Sequence, residues 1–183
     1  MSNQSMLIDL TSCIGCKACA VACKQENGLA AGNTFLKVWL KEYLKDKVVK
    51  YYVHQACHHC NAPRCQAACP VGAIERREDG VVVQDEDKCI GCQVCVTVCP
   101  YGGAKIMANG KAGKCSFCKH RLKSGVPSAC VTVCPTQARI MGGREEIVRE
   151  AERRKAELLG KGCSTRLEGI NDIQTKVIYL LPE

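Results

Sequence analysis

Apolar residues along this chain come in short runs broken by turn residues. Residues 35–43 (FLKVWLKEY) and 48–53 (VVKYYV) are rich in aromatic and β-branched side chains, with a polar turn, Lys45-Asp46-Lys47, between them. That pattern predicts a β-hairpin. Trp39, Tyr43, Tyr51 and Tyr52 read as its own core, with an exposed interface patch as the alternative. Residues 73–76 and 80–83 flank Glu78-Asp79-Gly80, whose Asp-Gly pair predicts a second hairpin. From 144 to 159 (REEIVREAERRKAELL) the period becomes helical, with Ile147, Ala151 and Leu158 broadly on one side among charges. Gly160 and Gly162 are placed to stop that helix. Residues 176–181 (KVIYLL) predict a strand, and no low-complexity linker divides the chain.

Between these elements the pattern is set by cysteine, 17 of 183 residues. Sixteen fall in four groups of four: Cys13, Cys16, Cys19, Cys23; Cys57, Cys60, Cys65, Cys69; Cys89, Cys92, Cys95, Cys99; and Cys115, Cys118, Cys130, Cys134. The first group (CIGCKACAVAC) and the third (CIGCQVCVTVC) are near copies, which marks an internal repeat. Groups two, three and four end in Cys-Pro, at Pro70, Pro100 and Pro135, whereas group one ends in Cys23-Lys24. Disulfides do not suit this count, which is odd, or a chain whose beginning shows no basic n-region and no apolar h-region. Cys163 stands apart and reads as a free thiol, with alternative ligation as the minor reading.

The spacing C-x2-C-x2-C wraps three thiolates around three corners of a cubane. Gly15 and Gly91 allow the loop backbone to approach it. The fourth cysteine follows about one helical turn later and reaches a neighbouring cluster. Four [4Fe–4S] clusters are therefore expected, and crossed ligation pairs the groups. Groups two and three are neighbours and exchange their last cysteines; groups one and four are left for each other. The first set is Cys13, Cys16, Cys19 and Cys134; the second is Cys23, Cys115, Cys118 and Cys130. The third is Cys57, Cys60, Cys65 and Cys99; the fourth is Cys69, Cys89, Cys92 and Cys95. A zinc site is the competing reading, weakest where a third cysteine spoils a two-plus-two knuckle and strongest for group four.

The remaining composition fits this picture. Only eight residues are Phe, Trp or Tyr, so side chains alone build a thin core and metal must supply part of the folding energy. The iron-free chain is accordingly expected to fold poorly. The formal charge is +8. Four oxidised cubanes with their thiolates bring roughly −8, so the excess is charge balance rather than a nucleic-acid footprint. The lysines are also scattered, without interleaved aromatics. No run of eighteen apolar residues exists, so no direct membrane insertion is expected.

Lys17, Lys24, Lys88, Lys114 and Lys119 sit beside ligands, either raising potentials or forming a solvated face. The histidines are His54, His58, His59 and His120. His58 and His59 lie inside the second cysteine group, where Rieske-like ligation by two histidines is the alternative. Four cysteines already fill the site, so the pair reads as neighbours of the ligands or as surface residues. No Ser-His-Asp order, no paired carboxylates near a loop and no phosphate-binding loop is found, so the chain is read as non-catalytic.

The stretches CHHCNAPRCQAACPVGAIERREDGVVVQDEDKCIGC and KCSFCKHRLKSGVPSACVTVCPTQARIMGG, in this order of four groups, resemble the four-cluster ferredoxin-like subunit of the dimethyl sulfoxide reductase family of molybdopterin oxidoreductases. The likeness runs from about Leu7 to Gly143 and includes the closing KVIYLLP. It implies an α+β fold of two pseudo-symmetric bacterial-type dicluster ferredoxin modules with inserted β-hairpins and a C-terminal helix. The inner module would span about 54–105 and the outer 1–34 plus 106–143, with 144–183 a helix-and-strand extension. It implies a molybdenum- or tungsten-bearing molybdopterin catalytic subunit as partner, with the Cys13 set nearest to it. It also implies a possible membrane quinone or quinol subunit, which the shortness of the chain weighs against. The chain is expected to be cytoplasmic as synthesised, and the resemblance implies export with a partner bearing a twin-arginine signal as the other course. A free-standing polyferredoxin shuttle for a hydrogenase or another redox enzyme is the alternative function, and a scaffold held by its clusters is a further one.

Overall fold

The computed structural model describes residues 4–44, 48–171 and 174–183. In chain order it has β1 (Gln4–Asp9), α1 (Ala18–Glu26), β2 (Lys37–Leu44), β3 (Val48–Gln55), α2 (Arg64–Ala67), β4 (Ile74–Arg76), β5 (Val82–Gln84) and α3 (Val94–Thr97). There follow β6 (Ala104–Ile106), β7 (Ala112–Lys114), α4 (Lys119–Lys123), α5 (Ala129–Thr132), β8 (Arg139–Gly143), α6 (Arg144–Gly160), β9 (Thr165–Glu168) and β10 (Val177–Pro182). Strands and helices thus mix along the chain as an α+β fold requires.

The two outer parts of the sequence meet in one sheet of order β8-β1-β10-β9. Its central strands β1 and β10 are parallel, in register from Met6↔Val177 to Asp9↔Leu180, and β8 and β9 flank them antiparallel. Leu7, Ile178 and Leu180 cluster with Ile147 and Ala151 of α6 on one face. On the other, Met6, Ile8, Leu10, Val177 and Tyr179 cluster with Val81, Val83 and Phe117 of the cysteine-rich region. A strand covered on both faces reads as an unbroken apolar run rather than an alternation. That is why β1 carries no period-two signal, although β10 matches the strand expected over 176–181. Residues 144–183, expected as an extension, supply α6, β9 and β10 to this sheet.

Three hairpins carry the cysteine loops. β2 and β3 pair from Lys37↔Gln55 to Leu44↔Val48; the expected turn Lys45-Asp46-Lys47 lies outside the described residues. Its base is fixed by Leu36 and Val38, buried with Cys19 and Cys23, while Leu44 is 79% exposed. The expected aromatic core is only partly there. Tyr51 packs toward the sheet core, but Trp39 is 42% exposed. β4 and β5 form the second expected hairpin one to two residues beyond the predicted arms on the later side. Its loop closes by Arg77 N–H to Val81 O at 3.0 Å and Gly80 N–H to Arg77 O at 2.8 Å, with Gly80 at φ +76. The third hairpin, β6–β7, repeats that geometry: Met107 N–H to Lys111 O and Gly110 N–H to Met107 O, both 2.9 Å, with Gly110 also at φ +76. The sequence reading missed it, although Asn109-Gly110 is as good a turn signal as Asp79-Gly80.

The helix expected over 144–159 is α6, one residue longer. Gly162 at φ +75 ends it: Cys163 N–H bonds Leu158 O at 2.8 Å and Gly162 N–H bonds Leu159 O at 2.9 Å, a Schellman closure. Arg154 ties the helix to the end of β1, 3.1 Å from the Asp9 carboxylate. Asp9 in turn accepts from Thr11 N–H (2.9 Å) and Ser12 Oγ (2.9 Å), which fixes the turn entering the first cysteine group.

Candidate metal centre

The four cysteine loops follow one backbone plan. The residue before the second cysteine is left-handed in each: Gly15 (φ +70), His59 (+50), Gly91 (+72) and Phe117 (+59). So is the residue three beyond the last cysteine in the three Cys-Pro groups: Gly72 (+61), Gly102 (+57) and Gln137 (+51). Left-handed residues turn successive amides inward and make a concavity for negative charge. The amides do meet sulfur. His59 N–H bonds Cys57 Sγ at 3.4 Å and Phe117 N–H bonds Cys115 Sγ at 3.3 Å; the Gly15 amide plays the same part for Cys13. Ala73 N–H bonds Cys69 Sγ at 3.3 Å and Gly103 N–H bonds Cys99 Sγ at 3.2 Å. Gly103 has no room for a side chain, since a Cβ would lie 2.7 Å from Cys57 Cα.

The buried thiols have other cysteines as their neighbours. Burial pushes Cys60 up to about 11, and Cys57, Cys65 and Cys99 add to it. Burial also takes Cys65 to about 11, with Cys57 and Cys99 beside it. Cys23 is pushed up to about 12 by burial and then by Cys130 and Cys118. Burial raises Cys95, with Cys89, Cys92 and Cys69 next to it, and those four line one hollow together with Ala73 and Gln93. Cys13 is raised by burial and has Cys134 and Cys16 as neighbours. Other proximities run between the sets expected from the sequence: Cys19 feels Cys130, Cys23 feels Cys19, and Cys115 feels Cys57. Among the described residues no three His, Cys, Asp or Glu side chains converge on a single ion. A cubane asks for wider spacing than that, because each thiolate takes its own iron. Bound iron also reverses the raised thiol values, since a coordinated thiol is deprotonated. Donor chemistry, inward amides and the hollow all fit a cubane.

The surrounding side chains divide sharply. Of the five lysines beside ligands only Lys114 is buried, its Nζ bonding Val82 O and, at 3.1 Å, Cys115 O. Lys17, Lys88 and Lys119 are exposed and Lys24 is half-buried. His59 is buried, accepts Val82 N–H at Nδ1 (3.1 Å) and meets the Phe117 ring edge-on at 4.9 Å. It joins two loops expected in different modules. His58 stacks on Tyr101 at 3.8 Å, and burial lowers it to about 4. His120 is exposed and pairs with Glu26 at 2.6 Å. His54 is buried beside Cys13. Sequence reasoning missed Arg139, buried against Cys130 and His54, and it placed Tyr52 in the hairpin without its contact to the first cysteine loop, where the ring lies over Gly15. No spacing rule points to either, because their partners are distant in sequence. Cys163 is exposed.

Known iron–sulfur proteins match this chain. The family described as 4Fe-4S dicluster domain matches residues 48–144, and that described as 4Fe-4S binding domain matches residues 4–25. A selenate reductase subunit of Mesobacillus selenatarsenatis is 34% identical over 96% of this chain and 70% of its own. A component of the anaerobic dimethyl sulfoxide reductase of Escherichia coli is 38% identical over 80% of this chain and 76% of its own. The thiosulfate reductase electron transfer subunit of Salmonella typhi is 38% identical over 84% of this chain and 89% of its own.

Proposed function

The protein belongs to the iron–sulfur electron-transfer subunits of the dimethyl sulfoxide reductase family, and from that premise we propose that it carries four [4Fe–4S] clusters and relays electrons to or from a molybdopterin catalytic subunit. The ligands are the four crossed sets: Cys13, Cys16, Cys19, Cys134; Cys23, Cys115, Cys118, Cys130; Cys57, Cys60, Cys65, Cys99; and Cys69, Cys89, Cys92, Cys95. The observation that carries this is the neighbourhood of the thiols, which follows the crossed sets rather than the order of the sequence. The proximity of Cys19 to Cys130 and of Cys115 to Cys57 supports a row that runs first, second, third, with the fourth set beyond the third.

When bound, the clusters supply one-electron redox capacity at each stop of that row. The chain's own residues keep the ligands in place, exclude water and aim amides at sulfur, and the chain itself is non-catalytic. Residues 1–143 form the cluster-bearing unit, with the inner module at about 54–105, and 144–183 brace it through the sheet. The first set faces the catalytic subunit. The names of the relatives, all reductase components, favour this over a free polyferredoxin shuttle.

Anaerobic purification from the native host, with metals and co-purifying proteins quantified, tests the proposal. About sixteen irons together with a molybdenum- or tungsten-bearing large subunit supports it. The same iron with no partner and no second metal would move the function to the free shuttle, and zinc in place of iron would sink the cluster reading.

A further inference from the structure

Arg139 opens β8 five residues after Cys134 and is 3% exposed. Among the described residues no carboxylate pairs with it, and its Nε has no hydrogen-bond partner. Its other nitrogens face sulfur and a histidine. Nη1 lies 3.6 Å from Cys130 Sγ and 3.5 Å from Met6 Sδ, and Nη2 lies 2.8 Å from His54 Nδ1. His54, 5% exposed on β3, places its other ring nitrogen, Nε2, 3.1 Å from Cys13 Sγ.

The proton positions along this line follow from chemistry. Arginine has five N–H donors, no acceptor, and does not deprotonate in proteins. His54 Nδ1 therefore accepts, and the ring proton sits on Nε2, where it donates to Cys13 Sγ. One buried cation thus touches a sulfur of the second set directly and a sulfur of the first set through one imidazole. A buried charge is costly unless it faces its opposite, and the negative charge within reach here is that of the thiolates.

We propose that Arg139 and His54 are shared positioning residues that raise the reduction potentials of the first and second sets together. This rests on the ligand sets proposed above. Adding an electron makes a site more negative, so a fixed positive charge and an N–H donor on its sulfurs favour the reduced state. Arg139 acts on the second set through Cys130. It acts on the first by holding the His54 ring so that Nε2–H stays on Cys13.

The test is an EPR-monitored redox titration of the purified complex, with iron counted on the same samples. His54→Phe, at full iron, is expected to move one potential down by at least tenfold in the electron-binding constant, about 59 mV for one electron. Arg139→Met is expected to move two, with the other two staying in place. His54→Gln keeps an N–H donor and is expected to recover most of the first shift. Full iron with unmoved potentials overturns the proposal, and so does a downward shift shared equally by all four. If Arg139→Met holds no iron at these sets, Arg139→Lys decides. It keeps the charge but loses the fork, so the first set should move more than the second, and an unmoved first set overturns the proposal. A wild-type complex holding far fewer than about sixteen irons would sink the ligand assignment, and this proposal with it, before any variant is made.

Discussion

Gly15 shows how tightly single residues are set around the cysteines. A Cβ there would lie 2.2 Å from the Tyr52 ring, on a backbone at φ +70. Gly15→Ala carries both an overpacking cost and a backbone cost, about 2–4 kcal/mol together. Gly28 has φ +57 and nothing within 4 Å of such a Cβ, so Gly28→Ala carries the backbone cost alone, about 1–2 kcal/mol. Thermal bleaching of the cluster absorbance would compare them, and equal losses would mean that the Tyr52 ring simply swings aside. Cys16→Ser removes a proposed ligand of the first set, and on that assignment iron should fall from about sixteen to about twelve to fifteen per chain, with transfer to the catalytic subunit blocked. Normal turnover with the native donor would refute that. These cysteines were legible in the sequence as candidate ligands because three of each proposed set lie on a single local segment. His54 was not, since Cys13 lies 41 positions away and Arg139 lies 85 away. Nothing local marks such a meeting.

Among the elements, α6 is the strap whose fastening can be tested. Asp9 is 2% exposed and bonds Arg154 at 3.1 Å. Arg154→Ala leaves that buried carboxylate with only its turn partners, at a cost of about 1.5–3 kcal/mol, seen as earlier melting and faster hydrogen exchange in β1 and α6. Glu150 is held down to about 2 by hydrogen bonds from Arg153 and then Arg154. A carboxylate whose folded pKa lies below its unfolded value, about 4.3, contributes above that value and loses its contribution as pH falls toward 2. The protection difference over α6 between wild type and Glu150→Gln should therefore hold from pH 7 to 5 and shrink in exchange pulses below 4. A constant difference would show that the carboxylate's charge is irrelevant. α6 was legible because its apolar stripe is one-sided. The helices α2 to α5 span four or five residues each, too few to display a period. β1 was hidden by its two-sided burial.

Across the whole molecule the cysteines are part of the core. Cys19, Cys23 and Cys95 sit within apolar clusters with Leu36, Val38, Ile74 and Val82, whereas the cluster between the sheet and α6 contains no cysteine. Iron removal should therefore expose amides around the cysteine loops first and leave the Leu7–Ile147–Ile178 region protected longest; uniform loss of protection would contradict this. Loaded chain should also focus at a lower pH than iron-free chain, because the formal +8 is offset by roughly −8 from four cubanes. The parallel pairing of Gln4–Asp9 with Val177–Pro182 carries a consequence in time. During synthesis β1 emerges first and waits for its central neighbour until nearly every other element has been made. Until residues 139–143 are made β1 has no strand beside it, and its β10 edge stays open for longer still. The topology thus defers closure of the sheet over the cysteine-rich region until the last strand of the chain has been made.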